Sequence, residues 1–178
     1  ILLVPHFGCW EITGRVLSID TPVTFLYKPL RKASQEALLI KNRQKQSLSM
    51  ATADKKGVIK LQRAIKNKEL IGILPDQDPG EEGGVLVPFF GTNARSMTLL
   101  AKLARKNNAK VLLTWALRLP KGAGFEIHLE PVNILSEQGT VKEDVALMNK
   151  VIESLVKTQP EQYLWNYKRF KSVVDYSS

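Results

Sequence analysis

One cysteine, two histidines and no apolar stretch long enough to span a bilayer set the first limits on this 178-residue chain. Cys9 alone excludes an internal disulfide and an all-cysteine metal cluster, which points to a reducing compartment. With only His6 and His128 present, a multi-histidine metal site is excluded too. The apolar runs Leu70–Pro75 and Val111–Leu117 fall well short of the roughly 18–20 residues of a membrane span. Gly80, Gly83 and Gly84 lack the lysine or helix that follows a phosphate-cradling glycine loop, and there is no Gly-x-Ser-x-Gly elbow. Repeats, low-complexity tracts and linkers are missing, so residues 1–178 read as one domain, with 44% apolar residues to build its core. The opening Ile1-Leu2-Leu3-Val4-Pro5 has neither an initiator methionine nor a signal-peptide layout. It reads as a fragment cut from a longer protein, and any membrane anchor would lie outside it.

What is present is positive charge, unevenly placed. Lysine and arginine total 26 against 17 acids, a net +9. Residues 28–69 carry twelve of the cations and three acids, and residues 95–121 carry seven cations and no acid. Between them lies an acidic knot, Asp76, Asp78, Glu81 and Glu82. Such segregation fits a solvated helix face or a landing surface for phosphate-bearing lipid, acidic protein or nucleic acid.

Apolar periodicity alternates between strand and helix along the chain. Ile1–Val4, Val23–Tyr27, Leu70–Leu74, Val85–Phe89, Val111–Leu117 and Phe125–Leu129 read as strands, the last two joined by a turn at Pro120–Gly124. Helices are expected over Cys9–Ile19, Ser34–Ser47, around Val58, Leu61 and Ile65, over Arg95–Lys106 with its end at Asn107-Asn108, and over Val141–Lys157. Alternation of this kind predicts an α/β fold with a mostly parallel central sheet flanked by helices and an antiparallel hairpin near the end.

His6 stands just past the end of the first buried strand, Gly8 permits a tight turn, and Glu11 follows at the start of a helix. Open α/β sheets place their sites at the carboxyl ends of strands. An imidazole near a carboxylate can take a proton from an alcohol, the carboxylate fixing the tautomer. By spacing alone, His6 is more readily read as a satisfied structural histidine. Cys9 reads as a small buried apolar residue or a nucleophile, and His128, within a strand, as structural.

Taken together, five ordered blocks say more. His6-Phe7-Gly8-Cys9-Trp10-Glu11, Tyr27-Lys28-Pro29, Arg43, Asp76-Gln77-Asp78 with Val87-Pro88-Phe89-Phe90-Gly91, and Pro160-Glu161-Gln162-Tyr163-Leu164-Trp165 running on to Arg169-Phe170-Lys171 resemble the motifs of the bacterial lipid A late acyltransferases. The resemblance spans nearly the whole chain. It departs at two positions: the family usually has Asn where Cys9 stands and Arg where Lys28 stands. The resemblance implies a glycerolipid-acyltransferase-like fold, no metal and no dissociable cofactor. It further implies acyl transfer from acyl carrier protein, or coenzyme A, to a hydroxyl of a phosphorylated glycolipid at the cytoplasmic face of the inner membrane. His6 would then be the general base and Glu11 its orienting carboxylate. Arg43 would bind phosphate or support the oxyanion, Lys28 and Arg31 would bind substrate, and Asp76, Gln77 and Asp78 would border the site.

Two other readings are carried forward. A basic non-catalytic nucleic-acid-binding domain accounts for the charge, yet the aromatic and glycine signatures of the common modules are absent. A thioesterase would use the same His6 and Glu11 to activate water.

Overall fold

The protein is described by a computed structural model over residues 1–29, 36, 40 and 47–176. Its centre is a six-stranded sheet in the order β3-β2-β4-β1-β7-β8. These strands are β1 (Leu2–Leu3), β2 (Val23–Tyr27), β3 (Leu48–Thr52), β4 (Leu70–Ile73), β7 (Val111–Arg118) and β8 (Phe125–Val132). The first five run parallel and β8 returns antiparallel along β7, from Val111↔Val132 to Arg118↔Phe125. The apolar runs explain the arrangement: β1 and β2 are buried throughout, as strands covered on both faces must be, whereas the alternating, partly charged β8 takes an edge. The expected α/β architecture with a mostly parallel sheet and a late hairpin is the one observed.

Among the described residues, four helices pack around this sheet: α1 (Trp10–Leu17), α2 (Lys55–Lys66), α3 (Leu99–Asn107) and α4 (Val141–Thr158). Asp54 caps α2 by accepting the Gly57 N–H at 2.8 Å, and Thr140 with Glu143 forms a reciprocal capping box on α4. Leu61, Leu100, Leu103, Met148, Ile152 and Val156 turn inward from α2, α3 and α4 into the main core. Gly72 of β4 is required by packing, because a Cβ there would lie 2.5 Å from the Phe25 ring. Asp144 of α4, fully buried, accepts two Arg105 N–H groups at 2.8 and 2.7 Å and the Ser136 N–H at 3.0 Å, tying α4 to α3. Burial pushes the Asp144 carboxyl up, but the Arg105 and Ser136 hydrogen bonds outweigh it and hold it below the usual carboxylate range.

Two parts of the sequence reading change. The helix expected over Arg95–Lys106 is confined to Leu99–Asn107, and Thr92–Met97 is a strand, β6, antiparallel to β5 (Gly84–Phe89). The cause is the turn between them, where Phe90 (φ 48°) and Gly91 (φ 79°) take the left-handed region and reverse the chain. Beyond it, Ala94 and Ser96 are buried with period two while their neighbours are more exposed, a strand's pattern and not a helix's. Leu48–Thr52, unassigned from the sequence, adds to β2 as the edge strand β3. The polar stretch Ser34–Ser47 lies almost wholly outside the described residues. Asn108 ends α3 in the left-handed conformation (φ 46°), as its position after the helix suggested.

Candidate active site

Parallel pairing aligns β1 with β4, Leu2 opposite Gly72 and Leu3 opposite Ile73. Both strands therefore finish at the same edge of the sheet, and each runs on through a proline, Pro5 and Pro75, to a polar residue. Those residues meet. Nδ1 of His6 lies 2.8 Å from Oδ1 of Asp76, and the His6 backbone N–H donates to Asp76 Oδ2 at 2.9 Å. The Asp76 side chain is 1% exposed and that of His6 12%, so the pair is closed on the carboxylate side and open on the imidazole side. At the other ring nitrogen, Nε2, Gln77 Nε2 stands at 3.3 Å, and Trp10 meets the imidazole edge-on with ring centroids 5.2 Å apart.

The loop that carries His6 is fixed by the far end of the chain. Gly8 donates its N–H to the Gln162 carbonyl at 2.9 Å, Cys9 donates to the Ala116 carbonyl at 2.8 Å, and the Leu164 N–H donates to the His6 carbonyl at 3.1 Å. The Gln162 side chain bridges to β7, accepting the Arg118 N–H and donating to the Arg118 carbonyl, both at 3.0 Å. Gly8 has φ +60°, and a Cβ on it would fall 2.1 Å from the Ala116 oxygen. Glycine is the residue that fits here on both counts.

Behind Asp76 lie Tyr163 and Arg169. Burial, and then the neighbouring Asp76 charge, push the Tyr163 phenol far above its ordinary range, so it stays protonated beside the carboxylate. Arg169, 5% exposed, donates to the Arg95 carbonyl at 2.6 Å and to Ser96 Oγ at 2.5 Å, and its guanidinium sits 5.1 Å from the centre of the Phe89 ring. Burial lowers its pKa, opposed by Tyr163 and Asp76. A cavity of about 80 Å³, partly open to solvent, is lined by His6, Asp76, Tyr163, Tyr167 and Arg169, among others.

On its open side His6 faces a groove of about 650 Å³. Leu26, Val58, Leu74, Met97 and Leu99 give it apolar walls, while Lys28 and Lys102, both exposed, add positive charge. That volume lies within the 300–1,000 Å³ common for ligand sites. Gln77 and Asp78 also border this groove. Asp78 accepts hydrogen bonds from Ser172 Oγ and the Gly80 N–H, and its own N–H donates to Tyr167 Oη at 2.9 Å. Burial raises the Asp78 pKa, but those hydrogen bonds, with Lys171 and Arg95 nearby, bring it below the usual carboxylate value.

Of the residues singled out from sequence, His6, Lys28, Gln77 and Asp78 thus share one groove, with Asp76 immediately behind. Glu11 is exposed in the first turn of α1 and borders a neighbouring depression with Gly14, Phe25, Leu48 and Met50, which shares Trp10, Leu26 and Leu74 with the groove. Among the described residues, the carboxylate at Nδ1 of His6 is that of Asp76. Arg31 and Arg43 lie outside the described residues. Cys9 is a half-buried free thiol, and His128 stacks on Trp115 at 4.6 Å in the β7–β8 hairpin. The reading from sequence missed Tyr163, Gln162 and Arg169 as the supports of the pair. Their signal was the closing polar and aromatic block, which matched a motif without revealing what it touched.

The mostly parallel six-stranded sheet with its flanking helices is consistent with an α/β acyltransferase fold. The chain belongs to the bacterial lipid A biosynthesis acyltransferase family, whose family model matches residues 1–172. It is similar to the lipid A biosynthesis lauroyltransferase of Escherichia coli strain K12, 32% identical over 175 residues, which cover 97% of this chain and 56% of that protein. The lipid A biosynthesis palmitoleoyltransferase of the same strain is 28% identical over 169 residues, 94% of this chain and 54% of the relative. A lipid A biosynthesis acyltransferase of Haemophilus influenzae is 31% identical over 166 residues, 93% and 51%. The chain spans about half the length of the curated relatives it matches.

Proposed function

We propose that this chain carries the catalytic core of an O-acyltransferase of lipid A biosynthesis, moving a fatty acyl chain from acyl carrier protein to a hydroxyl of a phosphorylated glycolipid. The observation that supports this most is His6 at the mouth of the 650 Å³ groove, its Nδ1 engaged by a carboxylate and its Nε2 turned away from it. Family membership supplies the chemistry such a base would serve.

With Nδ1 carrying the proton given to the carboxylate, Nε2 is the acceptor. His6 takes the proton of the acceptor hydroxyl as that oxygen attacks the thioester carbonyl carbon. The tetrahedral oxyanion collapses, the carbon–sulfur bond breaks, and the imidazolium returns its proton to the departing thiolate. One ester forms and one thioester is consumed, with no acyl-enzyme. Apolar walls suit the acyl chain, and Lys28, with Arg31 and Arg43, would meet acceptor phosphates or the acidic surface of the carrier protein.

The membrane is the third partner in this reading. Leu164, Trp165, Val173, Val174 and Tyr176 are exposed apolar side chains on the C-terminal segment, close in sequence to the exposed Lys168 and Lys171. Aromatic and apolar groups with lysines are the composition that settles at an anionic lipid interface. The chain then works at the cytoplasmic face of the inner membrane.

The deciding experiment incubates the enzyme and its His6→Ala variant with acyl carrier proteins bearing different chains and a tetra-acylated phosphorylated glycolipid, and weighs the lipid product. An acceptor gaining one acyl chain, lost in the variant, supports the reading. Free fatty acid in place of acylated lipid would make the protein a thioesterase, and full transfer by His6→Ala would remove His6 from the chemistry.

A further inference from the structure

We infer that the outward face of α2, with Ile59 at its centre, is the docking surface for the acidic carrier protein that delivers the acyl thioester. This rests on the proposed reading, in which a carrier protein is the donor, and names the place where that donor sits.

The charge of α2 is one-sided. The helix carries Lys55, Lys56, Lys60, Arg63 and Lys66 and no acid, while Gly57, Leu61 and Ala64 are buried against the sheet. Lys60 is committed to the fold, since its Nζ donates to the Met50 carbonyl at 2.8 Å. Lys55, Lys56, Arg63 and Lys66 are exposed. The free N–H groups of the first turn add to the same positive potential. A surface of this kind draws in an acidic partner and speeds its encounter.

Among these cations stands an apolar side chain that packing does not explain. Ile59 is 51% exposed, and Lys55, Lys56, Arg63 and Lys66 lie four, three, four and seven positions from it, on its side of the helix. An apolar centre with a charged rim is the anatomy of a protein interface. A bilayer calls instead for a broad apolar and aromatic face, which α2 lacks and which Leu164, Trp165, Val173, Val174 and Tyr176 provide on the C-terminal segment. The two surfaces thus divide between two partners: carrier protein on α2, membrane on the C-terminal segment.

Position links the surface to the chemistry. Parallel pairing carries the end of β3 to the sheet edge where His6 stands, and α2 begins there. Ala53, Asp54 and Val58 therefore line the same 650 Å³ groove as His6. A helix is about 10 Å across, so a partner on the outer face of α2 is one helix width from the groove, within reach for a thioester carried on a flexible arm. Lys102 of α3, exposed and also bordering the groove, extends the positive field across its mouth.

The test compares the enzyme with Ile59→Asp and with Lys55→Glu plus Arg63→Glu. Fluorescence anisotropy of a labelled bacterial acyl carrier protein reads docking without catalysis: each variant is expected to bind about tenfold or more weakly, and binding by the unsubstituted enzyme should fall steeply with salt. In acyl transfer, KM for the acyl carrier protein should rise by a similar factor with kcat changed little, while transfer from acyl-pantetheine, which has the thioester but no protein, stays unchanged. Should the reversed charges prevent folding, Lys55→Ala plus Arg63→Ala reads the same change at smaller size. Unaltered carrier binding in these variants overturns the inference; so does a KM that rises equally for both donors, or a loss of sedimentation with phosphatidylglycerol vesicles while carrier binding stays intact. Failure of the proposed function reads differently: free fatty acid as the product would remove the transferase, while carrier binding lost in the α2 variants would still uphold the docking surface.

Discussion

Leu3 and Ile73 lie side by side in parallel register, and three residues beyond each comes one half of the His6–Asp76 pair. The geometry of the site is thus an extension of the strand pairing: Leu-Val-Pro-His and Ile-Leu-Pro-Asp leave the sheet in step. It follows that His6 can be truncated without disturbing the sheet. His6→Ala should unfold within a few degrees of the unsubstituted protein in a thermal scan while losing acyl transfer to the background rate.

Gly8 is the most sensitive backbone position near the site. Gly8→Ala must place a methyl against the Ala116 carbonyl and hold φ at +60°. The expected cost is about 2–3 kcal/mol, read as a lower urea midpoint at unchanged slope. Activity should fall further than stability alone accounts for, because the Gly8 and Cys9 hydrogen bonds set where His6 stands.

Asp144 should make stability depend on pH. Its carboxyl is held below the ordinary value of 3.8, so the stability it contributes is fully present above that value and is lost as pH falls through the lower folded one. Asp144→Asn is expected to cost about 2–3 kcal/mol at pH 7, moderated because Arg105 is 34% exposed and can turn to water. The difference between the two proteins should shrink in denaturant titrations below pH 3.8, and a gap constant down to pH 2 would count against the assignment.

The C-terminal segment should bind anionic vesicles. Replacing Lys168 and Lys171 together by Ala is expected to weaken sedimentation with phosphatidylglycerol vesicles by about 30-fold, at roughly 1 kcal/mol per lysine. The effect should fade as salt rises and be absent on neutral vesicles. Equal binding by both proteins at low salt would place the membrane contact elsewhere on the chain.

Much of the fold is legible in the chain because each buried strand is a short β-branched or leucine run bounded by proline or glycine. β6 was hidden: Ala94, Ser96 and Met97 also satisfy helical spacing, and only the turn at Phe90-Gly91 decides between the two periods. β3 was hidden because Leu48-Ser49-Met50-Ala51-Thr52 is only half apolar and gains its place by pairing with β2. At the site, His6 was visible from its position after a buried strand. Asp76 was visible as a motif but not as its partner, since the partnership depends on β1 lying beside β4, which no local pattern states. The clue was there in the repeated apolar-Pro-polar strand endings. Glu11 takes its expected role from the resemblance, since its spacing from His6 is a weak signal, whereas the contact of Asp76 with His6 comes from strand register.

The hydrogen bonds from Gly8 to Gln162 and from Leu164 to His6 join the first ten residues to a segment about 155 positions later. During synthesis, the histidine loop emerges early but has nothing to close on until the Pro160–Arg169 block has left the ribosome. On the proposed reading, the His6 base is therefore set in place only once both of these distant segments have been made.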